Sequence, residues 1–293
     1  MTPNSGRTCA LFLTTLFSNN TWSLKNQMPF HLQKCRTLSI GKCYDRVYSL
    51  SPHQLTWTHE EKDLGVWINT NLKSSRQCTV FYNKISDILG LLTRIFGQSS
   101  KQALPRLMNT YIRPTMEYAI QAWPPWLRKD IDLMQRIYHR ATKLVAGLQH
   151  RPYVERIADL NLFDFNYRRF RGDMILAHTI LNTPDHPLRQ LLVRREAGAL
   201  RSNDNSLAIP HSRLNCRRYF FTVRVCFSWN SLPCEVVQSP NLKLFKSNLD
   251  VFMRSTSSVV STFYTWLTFF KQRKLFFCIH LICNYGSCTA HAF

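Results

Sequence analysis

Acidic residues are scarce in this chain of 293 residues: 17 Asp and Glu stand against 38 Lys and Arg, a formal net charge of +21. Solubility asks for far less, so the imbalance points to polyanions, nucleic acid first and an anionic membrane surface second. No two aspartates are adjacent, and the eleven present are dispersed. A polymerase or nuclease working through two metal ions needs at least two carboxylates presented together. Asp130 and Asp132, the nearest couple, read instead as a helix cap and a first-turn charge that complements the macrodipole. There is no G-x-S-x-G elbow, H-E-x-x-H pair, phosphate-binding glycine loop or dinucleotide fingerprint. The ten histidines fall at no metal-like spacing. His139 and His178 lie on predicted helices, where a solvated or internally satisfied ring is the ordinary case. Nothing in these residues supports an autonomous enzyme.

Cys-x-x-Cys knuckles are absent too. The cysteines, at 9, 35, 43, 78, 216, 226, 234, 278, 283 and 288, read as scattered reduced thiols of an intracellular protein, cytoplasmic or nuclear. Cys278, Cys283 and Cys288, with His280 and His291, have spacings of five and five that fit no common zinc module. Long apolar runs are missing: "VVSTFYTWLTFF" and "LFFCIHLIC" are each too short to cross about 30 Å of hydrocarbon and are split by "KQRK", so no membrane span is expected. Arg7 followed by "CALFLTTLF" has the length of a signal-peptide core but no Ala-x-Ala-like cleavage site. The Asn19-Asn20-Thr21 sequon adds little.

What remains is a chain 45% hydrophobic, enough for one large domain or two small ones. Residues 1 to 33 show no sustained period. "KCRTLSIGK" alternates Cys35, Thr37 and Ser39 against Arg36, Leu38 and Ile40, as a half-buried strand does, and "EEKDLGVWINTNLK" predicts a second strand at Leu64 to Ile68. The two are expected to form a small sheet or hairpin. From 78 helical periodicity takes over. Phe81, Ile85, Ile88, Leu92 and Ile95 form one stripe, with Gly97 as a stop. Ser100 caps a second helix with Leu104, Leu107 and Tyr111 inward, and a short third begins at Pro114 and ends before Pro124 and Pro125.

After that breaker, Asp130 is expected to cap a helix burying Ile131, Met134, Ile137, Tyr138, Ala141, Leu144 and Val145, terminated by Gly147. Pro152 opens a short helix. Phe165 to Leu181 is a longer one, with Phe170, Met174, Ile175, His178 and Leu181 inward. Residues 182 to 212 look like an exposed connector. "CRRYFFTVRVCFSWNSLP" fits strand or helix, with helix favoured. Ser239-Pro240 opens a last helix carrying Leu242, Phe245, Leu249 and Phe252 inward, and from Ser255 periodicity is lost.

One segment carries chemistry. Between 136 and 224 there are sixteen Arg or Lys, fifteen of them Arg, against seven Asp or Glu. A guanidinium fork grips phosphate bidentately and stacks on bases, whereas Lys is a hydrated point charge. Arg136, Arg140 and Lys143 are spaced at four and three and project from one side of their helix. Arg168, Arg169 and Arg171 follow on the next long helix, then Arg217 and Arg218. Tyr138, Tyr167, Phe170, Tyr219 and Phe220 are interleaved, more in the manner of core than of base-stacking platforms.

These segments, in order, resemble the C-terminal portion of reverse transcriptases from non-LTR retrotransposons of the jockey and chicken-repeat type. The landmarks are "KCRTLSIGK" (34 to 42), "EKDLGVWINTNLK" (61 to 73), "YIRPTMEYAIQAWPPWLRKDIDLMQRIYHRATKLVAGL" (111 to 148), "YRRFRGDMI" (167 to 175), "SRLNCRRYFF" (212 to 221), and "WNSLPCEVV" followed by "SPNLKLFKSNLDVF". The resemblance implies a remnant of the palm at 34–77, with the hairpin that steadies a primer end. It also implies a thumb-like helical region at 78–182 and a C-terminal extension at 183–254 that holds template RNA and the growing hybrid. Residues 1–33 stay unassigned, and 255–293 form an irregular or disordered tail foreign to the family. The expected fold is therefore mainly α, a helical thumb-like bundle with a small β-hairpin near the N-terminus.

In the family a Tyr-x-Asp-Asp box and two divalent ions, Mg, perform RNA-directed DNA polymerisation. That box belongs ahead of the "KC" landmark, where residues 1–33 contain no aspartate. The expectation is a fragment that binds RNA or RNA:DNA hybrid, with DNA as a further candidate, without polymerising alone and without a cofactor of its own. Its contacts would be Arg136, Arg140, Lys143, Arg168, Arg169, Arg171, Arg217 and Arg218. The competing expectation is a non-functional fragment of a degenerate element copy, or one whose basic helices meet a protein partner that the sequence does not identify.

Overall fold

A computed structural model describes residues 23–41, 47–50, 53–97, 99–195 and 205–255. The short strands are β1 (Arg36–Leu38), β2 (Ser49–Leu50), β3 (His53–Gln54), β4 (Thr56–Thr58), β5 (Glu60–Asp63) and β6 (Val66–Asn69). The helices are α1 (Ser75–Phe96), α2 (Ala103–Leu107), a π-helical turn at Met108–Ile112, α3 (Arg113–Glu117), α4 (Arg128–Thr142) and α5 (Tyr153–Asp159). They continue with α6 (Phe165–Asn182), α7 (Asn215–Arg218), α8 (Phe221–Asn230), α9 (Cys234–Val237) and α10 (Leu242–Ser255). The protein is mainly α, and its strands pair only two at a time among the described residues. Its contacts define two compact units, Met1–Gly97 with Met108–Ile137, and Gln98–Leu107 with Tyr138–Phe293. The expected thumb-like span 78–182 is thus divided between them.

In the first unit β5 and β6 form an antiparallel hairpin in the register Glu60↔Asn69 to Asp63↔Val66. Leu64 is its turn and not the start of a strand. Leu64 (φ 44°) and Gly65 (φ 84°) both take the left-handed conformation that a two-residue type I′ turn requires. The first expected strand pairs elsewhere: β1 runs parallel to β4, from Arg36↔Thr56 to Leu38↔Thr58. Buried Gln77 of α1 holds the hairpin, accepting from the Trp67 amide at 2.8 Å and donating to the Gly65 carbonyl at 3.4 Å. An amide side chain can serve both a donor and an acceptor of the backbone, which lets it be buried without leaving a polar atom unmet.

Helix α1 buries Gln77, Cys78, Phe81, Ile85, Leu89 and Leu92. Leu89 replaces the expected Ile88, and Ile95 is exposed. Phe81 meets Trp123 edge to face at 4.9 Å, and the Trp123 indole donates to the Tyr118 carbonyl at 2.8 Å. Met108, Ile112 and Met116 are fully buried, while Tyr111, expected inward, is exposed. A four-residue step overshoots one α-turn of 3.6 residues and undershoots the wider π turn. Passing from π to α therefore keeps these three side chains facing the core. Asp130 is not a cap: it lies in the first turn of α4, buried, and accepts from Ser75 Oγ at 2.7 Å.

In the second unit Ser100 Oγ accepts from the Ala103 amide at 3.1 Å, the expected cap. Gly147, expected to terminate α4, has φ 76° but lies within a run of turns, five residues beyond the helix end at Thr142. Asp164 caps α6 through the Asn166 amide at 3.1 Å. Met174, Ala177, Ile180 and Leu181 of α6 share a core with Phe221, Val225, Cys226 and Trp229 of α8 and with Phe245, Leu249 and Met253 of α10. Phe170, Ile175, Leu242 and Phe252 pack partly buried against it. The ambiguous segment is helical, as α7 and α8. The connector is not wholly exposed: Leu192 and Leu207 are buried, and Asn230 brackets Leu207, accepting from its amide at 2.7 Å and donating to its carbonyl at 2.9 Å. Helices from either side of residue 182 thus form one core, because α6 alone cannot cover its apolar face. Cys9, Cys43 and the terminal segment from 256, with Cys278, Cys283, Cys288, His280 and His291, lie outside the described residues.

Candidate nucleic-acid interface

Three arginines of the basic segment are committed to partners within the protein. Arg224 on α8 is buried and grips Asp173 on α6 with two hydrogen bonds of 2.8 Å, while its third nitrogen donates to the Tyr219 carbonyl at 3.0 Å. Arg156 on α5 is buried, donating to Thr142 Oγ1 and to the Arg151 carbonyl, each at 3.1 Å. Arg171, expected at phosphate, is half-buried and commits its fork to Asp250 of α10 at 2.7 and 3.0 Å. The Tyr167 hydroxyl donates to the same carboxylate. Burial would raise the Asp250 carboxyl, but the hydrogen bonds from Arg171 and Tyr167 and the nearby charges of Arg171 and Arg254 hold it below the usual carboxylate range. The Tyr167 hydroxyl is pushed up, by burial first and then by its bond to Asp250.

The remaining candidates sit differently. Arg136 is exposed, on the part of α4 that belongs to the first unit. Arg140 and Lys143 are exposed at the other end of that helix, in the second unit. Arg168 and Arg169 are half-buried on α6, with the Arg169 guanidinium 5.6 Å from the Phe165 ring. On α7 Arg217 is exposed with its guanidinium 5.7 Å from the Phe220 ring, and Arg218 is half-buried. The geometry thus separates exposed Arg136, Arg140, Lys143 and Arg217 from Arg171, which an internal acid occupies.

Beside Arg140, the His139 ring stacks flat on Tyr153 of α5 at 3.7 Å. Tyr153 in turn donates to Asp164 at 2.9 Å, and Arg156 lies 5.7 Å from its ring. Burial, with the neighbouring Asp164 carboxylate and its hydrogen bond, pushes the Tyr153 hydroxyl far above its ordinary value. His139 is half-buried and stacked, the internally satisfied ring of the two alternatives expected. Sequence spacing carried no signal for that, since Tyr153 lies beyond a glycine and a proline. His178 is buried as expected, stacked on Phe245 at 4.3 Å with Nε2 3.3 Å from the Ser239 carbonyl.

Among the described residues no group of three or more His, Cys, Asp or Glu is placed to hold a metal ion. No helix among them is long and apolar enough to cross a membrane. No protein-family profile, curated protein or solved structure matches the chain.

Proposed function

We propose that this chain is the end of the palm, the thumb and the C-terminal extension of a non-LTR retrotransposon reverse transcriptase, and that it binds RNA or RNA:DNA hybrid electrostatically without polymerising alone. The six collinear landmarks support the family. The observation that carries binding is the exposure of Arg140 and Lys143 at the end of α4 in a chain of net charge +21. Cations held on a packed helix meet phosphate with little ordering cost, and their counterions are released on contact.

The experiment is a filter-binding titration of the full chain against a short RNA:DNA hybrid over a series of salt concentrations. Affinity falls as salt rises, with a log-log slope of about −0.9 for each phosphate neutralised on duplex. Absence of binding at low salt overturns the proposal. Primer extension with added Mg gives no product from the chain alone.

A further inference from the structure

Helix α1 buries one face and leaves apolar side chains on another. Phe81, Ile85, Leu89 and Leu92 are buried in the first unit, whereas Leu91 is 50% exposed and Ile95 63%, with Ile88 half-buried beside them. Lys84, Ile88, Leu91 and Ile95 follow at steps of four, three and four, the spacing of a seam that a second helix can cover. Asp87 and Arg94 each lie one residue ahead of a seam isoleucine, so they flank the seam on the same side. Both are exposed, and among the described residues neither is engaged in an ion pair.

We propose that α1 is a self-association surface, on which a second copy of this chain docks antiparallel along the seam of Lys84, Ile88, Leu91 and Ile95. Charge selects that partner. A helix running the other way presents the seam reversed, so Ile88 of each copy meets Leu91 of the other across a two-fold axis. The Lys84 stem of each copy then covers Ile95 of the other while its ammonium stays in water. In the same register each Asp87 faces an Arg94, and both pairs form at once because the axis is two-fold. A parallel partner would set Asp87 level with Asp87 and Arg94 level with Arg94, which repels. Half a dozen residues a side is well below the roughly 20–30 of a standard interface, so the dimer is weak, with a dissociation constant on the order of 10–100 µM.

The test follows the full chain, freed of nucleic acid, by sedimentation velocity from about 1 µM to about 200 µM. Wild type shifts from monomer to dimer as concentration rises. Leu91→Glu stays monomeric over the same range, because it puts a carboxylate into the seam from each copy. Arg94→Glu weakens association by about tenfold, since Asp87 then meets a like charge. The exchanged pair, Asp87→Arg with Arg94→Glu, restores association to within about threefold of wild type. The wild-type series needs no variant, and circular dichroism verifies the fold of each substituted chain. A wild type that is monomeric throughout overturns the proposal and leaves the face to a different protein. A dimer that Leu91→Glu leaves intact, or that the exchanged pair fails to restore, overturns it as well.

Discussion

Arg224 and Asp173 face each other from α8 and α6 through two hydrogen bonds of 2.8 Å, both side chains almost wholly removed from water. Such a pair is costly to bury and costlier to halve, because the survivor is left as an uncompensated charge. Arg224→Ala or Asp173→Ala is expected to lose about 3–5 kcal/mol of stability. The double change to Met and Leu loses less than either, since no charge remains inside. Urea unfolding of the three variants checks the order.

The β5–β6 turn gives a prediction of opposite sign. Leu64 is 84% exposed, so its side chain gains little from burial, and its φ of 44° places a branched residue in the left-handed region. That conformation costs an ordinary L-residue about 1–2 kcal/mol and costs Asn less. Leu64→Asn should raise stability by about 1 kcal/mol. Gly65→Ala should lower it, because φ is 84°, a backbone conformation that residues with a Cβ rarely adopt. Thermal unfolding compared across the two variants reads both effects.

Stability should also decline in mild acid. Burial holds His178 below its ordinary value against the opposing hydrogen bond to Ser239, and His139 is shifted the same way. The unfolded chain therefore binds more protons than the folded one as pH falls below about 6.5. The contribution is fully present above that pH and is lost on acidification. Denaturant midpoints measured from about pH 7.5 to about pH 5 should drop, and less steeply in His178→Gln.

For nucleic-acid binding the arginines should divide as their surroundings do. Arg140→Gln combined with Lys143→Gln should reduce the salt slope by about two if each meets one phosphate. Arg171→Gln should leave the slope nearly unchanged, because Asp250 already occupies the fork, and should act on stability instead. Salt titrations set beside unfolding curves for the same proteins separate the two kinds of arginine.

Much of the helical fold was legible because apolar spacing reports one buried face. The stripes of α4, α6 and α10 sit largely where Met134, Met174 and Phe245 pointed. The failures were local changes of geometry or partner. Tyr111 was expected inward by α-helical period, but a π turn exposes it in favour of Ile112. Leu64 was expected in a strand because it is apolar, yet Gly65 beside it marks a turn. The site was less legible than the fold. An arginine spent internally has the same one-letter code as one left at the surface, and the Asp250 that occupies Arg171 lies 79 residues away.

The scarcity of acid also shapes which substitutions the chain can absorb. Asp130 joins the start of α4 to Ser75, Asp164 starts α6, and Asp173 and Asp250 tie α6 to α8 and α10. Exposed arginines can drift to other polar residues one at a time with small effects on folding. The few aspartates cannot, since each accepts hydrogen bonds that join two elements. In a lineage no longer selected for binding, the basic surface would therefore erode before these four carboxylates did.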